Sequence, residues 1–169
     1  EIGLADLEGP TYTAGWLDVD LDGDDEPIWL RSDGLYYLDR DADGKTVLQQ
    51  ATVEAQGDTV FFANPEGQPS LVSGDFDRNG TLDLMVIQRV VRLYEITEPG
   101  KLVEMNAHLP YLPLGPVPFD VAAGDLNGDG WPDVAIAQAR SGTEHLYQRG
   151  AIDIVLMNRG GHFERIALE

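Results

Sequence analysis

An all-β fold is predicted, built as β-propeller blades: three four-stranded antiparallel blades that leave the ring incomplete in one chain. Three observations point to it. An acidic loop recurs with starts at residues 18, 75 and 125, a spacing close to the roughly 40–50 residues of one propeller blade. Each copy is followed by a short apolar run, at Pro27–Leu30, Leu84–Ile87 and Val134–Ala137, of the length and turn-bounded setting that forms buried strands. No stretch shows a sustained helical period with caps.

The repeat divides the chain into one propeller-type unit with blades over about 11–55, 70–109 and 119–169, joined by linkers at 56–69 and 110–118. Apolar residues also precede the loops, as at Leu71, Val72 and Val121–Ala123, so each loop is expected to join two neighbouring strands as a β-hairpin. The outer half of each blade follows the same plan. In the second, Val90–Ile96 turns through Glu98, Pro99, Gly100 and Lys101 into Leu102–Met105, and Pro-Gly is favourable turn chemistry. In the third, Ala151–Met157 runs through Asn158–Gly161 into His162–Leu168. In the first, Gly34–Leu38 and Thr46–Leu48 flank Asp39–Gly44. That stretch copies half of an acidic loop but has Val47 at the ninth position, and it is read as an acidic hairpin turn rather than a fourth ion site. Pro110, Pro113, Pro116 and Pro118 keep the second linker from being a central strand.

Composition narrows the function classes. The 169 residues hold 30 Asp+Glu against 11 Lys+Arg, for a net charge of −19, and so few basic residues argue against a nucleic-acid groove. With 43% hydrophobic residues the chain is not of the disordered class. Its lack of Cys excludes disulfides, thiol nucleophiles, Cys-ligated zinc and iron–sulfur clusters. No apolar run approaches the ~20 residues of a membrane-spanning helix. The chain opens at Glu1, as expected of a chain whose leader has been cleaved or that has been trimmed.

The negative charge is concentrated where it can hold a cation. Oxygen-bearing side chains stand at positions 1, 3 and 5 of each loop: Asp18, Asp20 and Asp22; Asp75, Asp77 and Asn79; Asp125, Asn127 and Asp129. Gly23, Gly80 and Gly130 at position 6 permit a left-handed turn. A carboxylate closes each set at position 9, as Glu26, Asp83 or Asp133. The position-7 backbone carbonyl, from Asp24, Thr81 or Trp131, is expected to face the ion. Ca²⁺ takes six to eight oxygens at about 2.3–2.6 Å, and up to three Ca²⁺ ions are expected. The loops are not EF-hands, because position 12 is Trp29, Val86 or Ile136 instead of Glu.

Residues Ala123–Ala137, containing Gly124, Asp125, Asn127, Asp129, Gly130, Trp131 and Asp133, resemble the FG-GAP/VCBS-type calcium-binding repeat of integrin alpha-chain propellers and many exported bacterial proteins. Val72–Asp83 is similar, Leu17–Trp29 is a more divergent copy with Glu26 in place of Asp, and Leu156–Phe163 resembles the family's outer strands. The resemblance implies Ca²⁺ loops between the first two strands of each blade, with the ligand sets above, in a propeller that displays binding surfaces.

No nucleophile elbow, phosphate loop or H-E-x-x-H occurs, and His108, His145 and His162 stand far apart, so no catalytic residue is assigned. Trp16, Trp29 and Trp131, in or beside the loops, are expected to pack there; Tyr111 and Tyr147 are the better candidates for a recognition surface. The expected function is a calcium-stabilised, non-enzymatic module for protein–protein interaction or assembly, outside the cytoplasm, where calcium is plentiful. Its partner would be another subunit or a second copy that completes the propeller. The alternatives are a carbohydrate-binding module and an accessory or catalytic part of a polysaccharide lyase or other extracytoplasmic enzyme complex.

Overall fold

A computed structural model describes residues 9–55, 69–88, 91–105, 109, 117–139 and 153–167. Within them the chain forms strands and turns. The first sheet is β1 (Thr11–Leu17), β2 (Glu26–Arg31), β3 (Gly34–Arg40) and β4 (Thr46–Gln50), hydrogen-bonded in chain order. The second holds β6 (Ser70–Gly74), β7 (Asp83–Ile87), β8 (Val91–Glu98) and β9 (Lys101–Glu104), again in chain order, with β5 (Thr52–Glu54) added beside β9. The third is β10 (Val117–Gly124), β11 (Asp133–Ala139), β12 (Ile154–Asn158) and β13 (Phe163–Ala167).

All three acidic loops join antiparallel neighbours, β1 to β2, β6 to β7 and β10 to β11, as the strand pattern predicts. The loop-bearing first strands lie side by side, with β6 touching both β1 and β10. The sheets therefore fan out from their first strands like consecutive blades of an incomplete propeller. Gly15 sits where β1 meets β6: a Cβ there would lie 3.7 Å from Ile28 and 4.0 Å from Leu71.

Two layers of apolar side chains separate the three sheets. Leu17, Val19, Ile28, Leu30, Leu35 and Tyr37 of the first sheet meet Leu84, Val86, Tyr94, Ile96 and Leu102 of the second. The opposite face of the second sheet, with Met85, Ile87, Val91 and Leu93, meets Val134, Ile136, Ile154, Leu156 and Phe163 of the third. Strand alternation produces both layers at once: Leu84 and Val86 face one neighbour while Met85 and Ile87 face the other, so β7 is buried along its whole length. Phe76 and Phe163 pack edge to face across the second layer, with ring centroids 5.9 Å apart.

The structure corrects the predicted blades in two places. The middle sheet has five strands, and its extra strand is parallel: β5 pairs with β9 from Thr52↔Lys101 to Glu54↔Val103. The chain changes sheets between adjacent residues, since the Ala51 N–H donates to the Leu35 carbonyl at 2.9 Å and the Thr52 N–H to the Gly100 carbonyl at 2.8 Å. Burial of Ala51 and packing of Val53 on the first layer hold this crossing, and a Lys101–Glu54 ion pair at 3.1 Å lies over it. The crossing strand covers what would otherwise be an open edge of β9. Secondly, β10 begins at Val117, inside the predicted 110–118 linker. Pro118 is tolerated because β10 is an edge strand, and the register shifts between Pro118 and Asp120. Pro27 likewise precedes the β2–β3 ladder, which starts at Ile28.

Phe163→Ala is expected to lower stability by about 3–5 kcal/mol, read from urea unfolding, because it empties the ring that meets Phe76 between the second and third sheets.

Candidate metal centre

The three acidic loops share one backbone path. Position 6 is left-handed in each, with φ of 98° at Gly23, 93° at Gly80 and 86° at Gly130. Position 4 is left-handed as well: Leu21 at 62°, Arg78 at 61° and Gly128 at 78°. This second reversal is absent from the sequence reading, since two of its three occupants are not glycine. Only alignment of Gly128 with the other copies hints at it.

Side-chain oxygens bind backbone N–H groups in a recurring order. The position-1 carboxylate accepts from the position-6 N–H, at 3.1 Å for Asp18 and Gly23, 3.1 Å for Asp75 and Gly80, and 2.9 Å for Asp125 and Gly130. The position-3 oxygen accepts from the position-5 N–H, at 3.1 Å in Asp20, 3.0 Å in Asp77 and 2.8 Å in Asn127. The position-5 oxygen accepts from position 7, at 2.9 Å to Asp24, 2.8 Å to Thr81 and 2.9 Å to Trp131. The position-9 carboxylate reaches back to the position-2 N–H: Glu26 to Val19 at 2.8 Å, Asp83 to Phe76 at 2.9 Å and Asp133 to Leu126 at 3.0 Å. Carboxylate and amide side chains thus supply the acceptors that a tight loop cannot draw from a sheet ladder.

The electrostatics differ among the copies. Carboxylate oxygens of Asp18, Asp20 and Asp22 lie within 4.8 Å of one another, and so do those of Asp75, Asp77 and Asp83. In the second loop Asp75 Oδ1 and Asp83 Oδ1 are buried with no hydrogen-bond donor. Burial, then the charge of Asp77, pushes the Asp83 carboxyl up to about 7. In the first loop burial raises Asp20 and Glu26. In the third, hydrogen bonds lower Asp125, the Gly130 N–H foremost. Asp133 there has both oxygens engaged, because Oδ1 also accepts from the Asn158 N–H at 2.8 Å. The donor set of the second loop therefore fits a hard cation best: all-oxygen, strongly anionic and short of donors.

The sequence places Asn158 in a turn and shows nothing more of its role. In the structure it is buried, its Nδ2 donates to the Phe76 carbonyl at 2.8 Å, and its Oδ1 accepts from Gly161 N–H at 2.8 Å. It therefore ties the second loop to the outer hairpin of the third sheet. Arg78 adds a second link, stacking over the Trp131 ring at 5.2 Å. Trp131 packs within the loops as expected. Trp16 does not: it is 61% exposed, because its side of β1 faces away from the layer that buries Leu17. The Asp39–Gly44 stretch is a hairpin turn, with Asp41 Oδ1 accepting from the Asp43 and Lys45 N–H groups at 3.0 and 2.9 Å. Tyr111, Tyr147, His108 and His145 lie outside the described residues.

Residues 117–155 match the FG-GAP repeat family, a span that takes in β10, the third loop, β11 and the start of β12. The third loop thus lies in the segment that is similar to an FG-GAP repeat, and the other two loops share its hydrogen-bonding order. No curated protein matches the chain at a significant level.

Two measurements probe the loops without added metal. Leu21→Gly is expected to raise stability by up to ~1 kcal/mol, since a left-handed non-glycine residue costs roughly 1–2 kcal/mol and glycine's extra chain entropy offsets part of the relief. Asp83 has a folded pKa above its unfolded value, so the folded chain binds its proton more tightly. Metal-free stability is therefore expected to fall as pH rises from about 4 to 7. Melting curves in chelator at pH 5 and 7.5 check this, and Asp83→Asn should flatten the difference.

Proposed function

We propose that the chain is a calcium-stabilised, non-enzymatic propeller module that holds a protein assembly together outside the cytoplasm. The observation that carries it is the pair of buried, donorless oxygens on Asp75 and Asp83. A cation between them would convert repulsion into a clamp on the β6–β7 hairpin. Asp77, Asn79 and the Thr81 carbonyl would complete that set. Asp18, Asp20, Asp22, Asp24 and Glu26 would form a second, and Asp125, Asn127, Asp129, Trp131 and Asp133 a third, for up to three ions. Loops of this kind suit a compartment where free calcium is high, and no helix among the described residues is long and apolar enough to cross a membrane.

The FG-GAP match supports a role in protein interaction, and the partner of this reading is another subunit or a second copy of this chain that completes the propeller. The glycan-binding alternative rests on Tyr111 and Tyr147, which the described residues do not include.

Calorimetric titration with calcium chloride is expected to show saturable binding of up to three ions, and EDTA to lower the melting temperature. At a hundredfold excess of ligand over Kd one site contributes about 2.7 kcal/mol. Asp83→Asn should remove one ion from the count. A melt that is the same in EDTA and in millimolar calcium, with no binding heat, would overturn the proposal.

A further inference from the structure

The second loop keeps two buried carboxylate oxygens, Asp75 Oδ1 and Asp83 Oδ1, without a donor among the described residues. What holds them in place does not all belong to their own sheet. Asp83 Oδ2 accepts from the Phe76 N–H at 2.9 Å, a donor that Phe76 shares with the Gly74 carbonyl at 2.9 Å. The third sheet grips Phe76 at two further points. Its ring meets that of Phe163 edge to face, and its carbonyl accepts from Asn158 Nδ2 at 2.8 Å. Asn158 and Phe163 stand opposite each other in the β12–β13 ladder, so one cross-strand pair holds both the ring and the carbonyl of a residue in another sheet. Asn158 is itself fully buried and fixed. Its N–H donates to Asp133 Oδ1 and its Oδ1 accepts from the Gly161 N–H, each at 2.8 Å. A flipped amide would set oxygen against the Phe76 carbonyl and NH₂ against the Gly161 N–H, so the network allows one orientation, with Nδ2 presented to Phe76.

The joint between the first and second sheets is built differently. Leu84 pairs with Tyr94 and Val134 with Leu156, so Asn158 of the third sheet corresponds to Ile96 of the second, which stands opposite Leu102. Ile96 has no polar side-chain atom to offer the preceding loop. The Val19 carbonyl of the first loop takes its donor from the Gly100 backbone N–H instead, at 2.8 Å. The second loop, whose closing carboxylate lacks a donor on one oxygen, is thus the one braced by a side chain of the following sheet.

We propose that Asn158 is a positioning residue for the cation of the second loop, so that two sheets assemble this site and not the loop alone. This rests on the calcium reading above and names a residue outside the ligand set on which the affinity depends. Phe76 lies between two of the ligands, Asp75 and Asp77, and its N–H orients a third, Asp83. With Asn158 on the carbonyl, the backbone of Phe76 is fixed on both sides. Without that donor the buried carbonyl would be left unsatisfied, a costly state that the residue relieves by shifting. Such a shift moves the N–H away from Asp83 and turns the peptide that leads into Asp77. Ion binding would then have to order these groups itself, and affinity falls by what that ordering costs.

Titration of the full chain with calcium chloride, followed by amide nitrogen–proton correlation spectra, tests this site by site. The Gly23 and Gly80 N–H groups each donate to the first-position carboxylate of their own loop, so their signals report the first and second sites separately. Two variants remove the donor: Asn158→Ala, and Asn158→Leu, which keeps the side-chain volume. Each is expected to weaken calcium binding at Gly80 by roughly 10–100-fold, the usual effect of losing a group that orients metal ligands, and to leave the affinity at Gly23 unchanged. Ile136→Val loosens the layer between the same two sheets without touching Asn158, and should leave both affinities at their wild-type values. Dispersed spectra at saturating calcium show that each variant is folded. An unchanged Gly80 affinity in either folded Asn158 variant overturns the proposal and leaves the calcium reading standing. An equal loss at Gly23, or in Ile136→Val, overturns it by reducing Asn158 to a residue of general stability. A wild-type Gly80 signal that does not move in millimolar calcium would refute the calcium reading of this loop, and the proposal with it.

Discussion

The bond from the ninth-position carboxylate back to the second-position N–H recurs in all three loops, and the rest of the architecture depends on it. It closes each loop across its base, where β1 meets β2, β6 meets β7 and β10 meets β11. The position-2 side chain is thereby driven outward toward the next sheet, with Val19 and Phe76 as the buried examples. One hydrogen bond inside a loop thus sets both the geometry of a hairpin and the docking of two sheets. The carboxylate must be buried to do this, which costs desolvation. That cost is visible in the raised pKa values of Glu26 and Asp83.

The copies meet this cost differently. Asp133 spreads its charge over two backbone donors, one of them from the neighbouring strand β12. Asp83 has one backbone donor on Oδ2 and none on Oδ1, with Asp75 Oδ1 in the same state. The segment that carries the family match is therefore the best satisfied by protein groups, while the second loop keeps two buried carboxylate oxygens without a donor.

Coupling between sheets is concentrated at the loop end. Asn158 touches the second loop through the Phe76 carbonyl and the third through Asp133, and Arg78 lies over Trp131. The first and second sheets use a plainer link, Gly100 to Val19, reinforced by the chain crossing into β5. Such joints let sheets add in sequence, so that stability grows largely by nearest-neighbour contacts, as in other repeat architectures.

Much of this was legible in the residues. Loop positions 1, 3, 5, 6 and 9, the strands on either side and the outer hairpins follow from spacing, from turn chemistry and from the rule that one face of a strand is buried. The parallel β5 was not legible, because three residues carry no signal of which sheet they join; that choice belongs to the buried Ala51 and the open edge of β9. Nor was the exposure of Trp16, since alternation places it on one face of β1 without saying whether a neighbour covers that face. The role of Asn158 needed the fold too, as its partner Phe76 stands 82 residues away. By itself the sequence determined the local geometry, because loop curvature and strand alternation are set by residues within about ten positions. Which oxygens lack a donor among the described residues, and which side chains are buried between sheets, only the tertiary structure decided, because both depend on groups that folding brings together from distant parts of the chain.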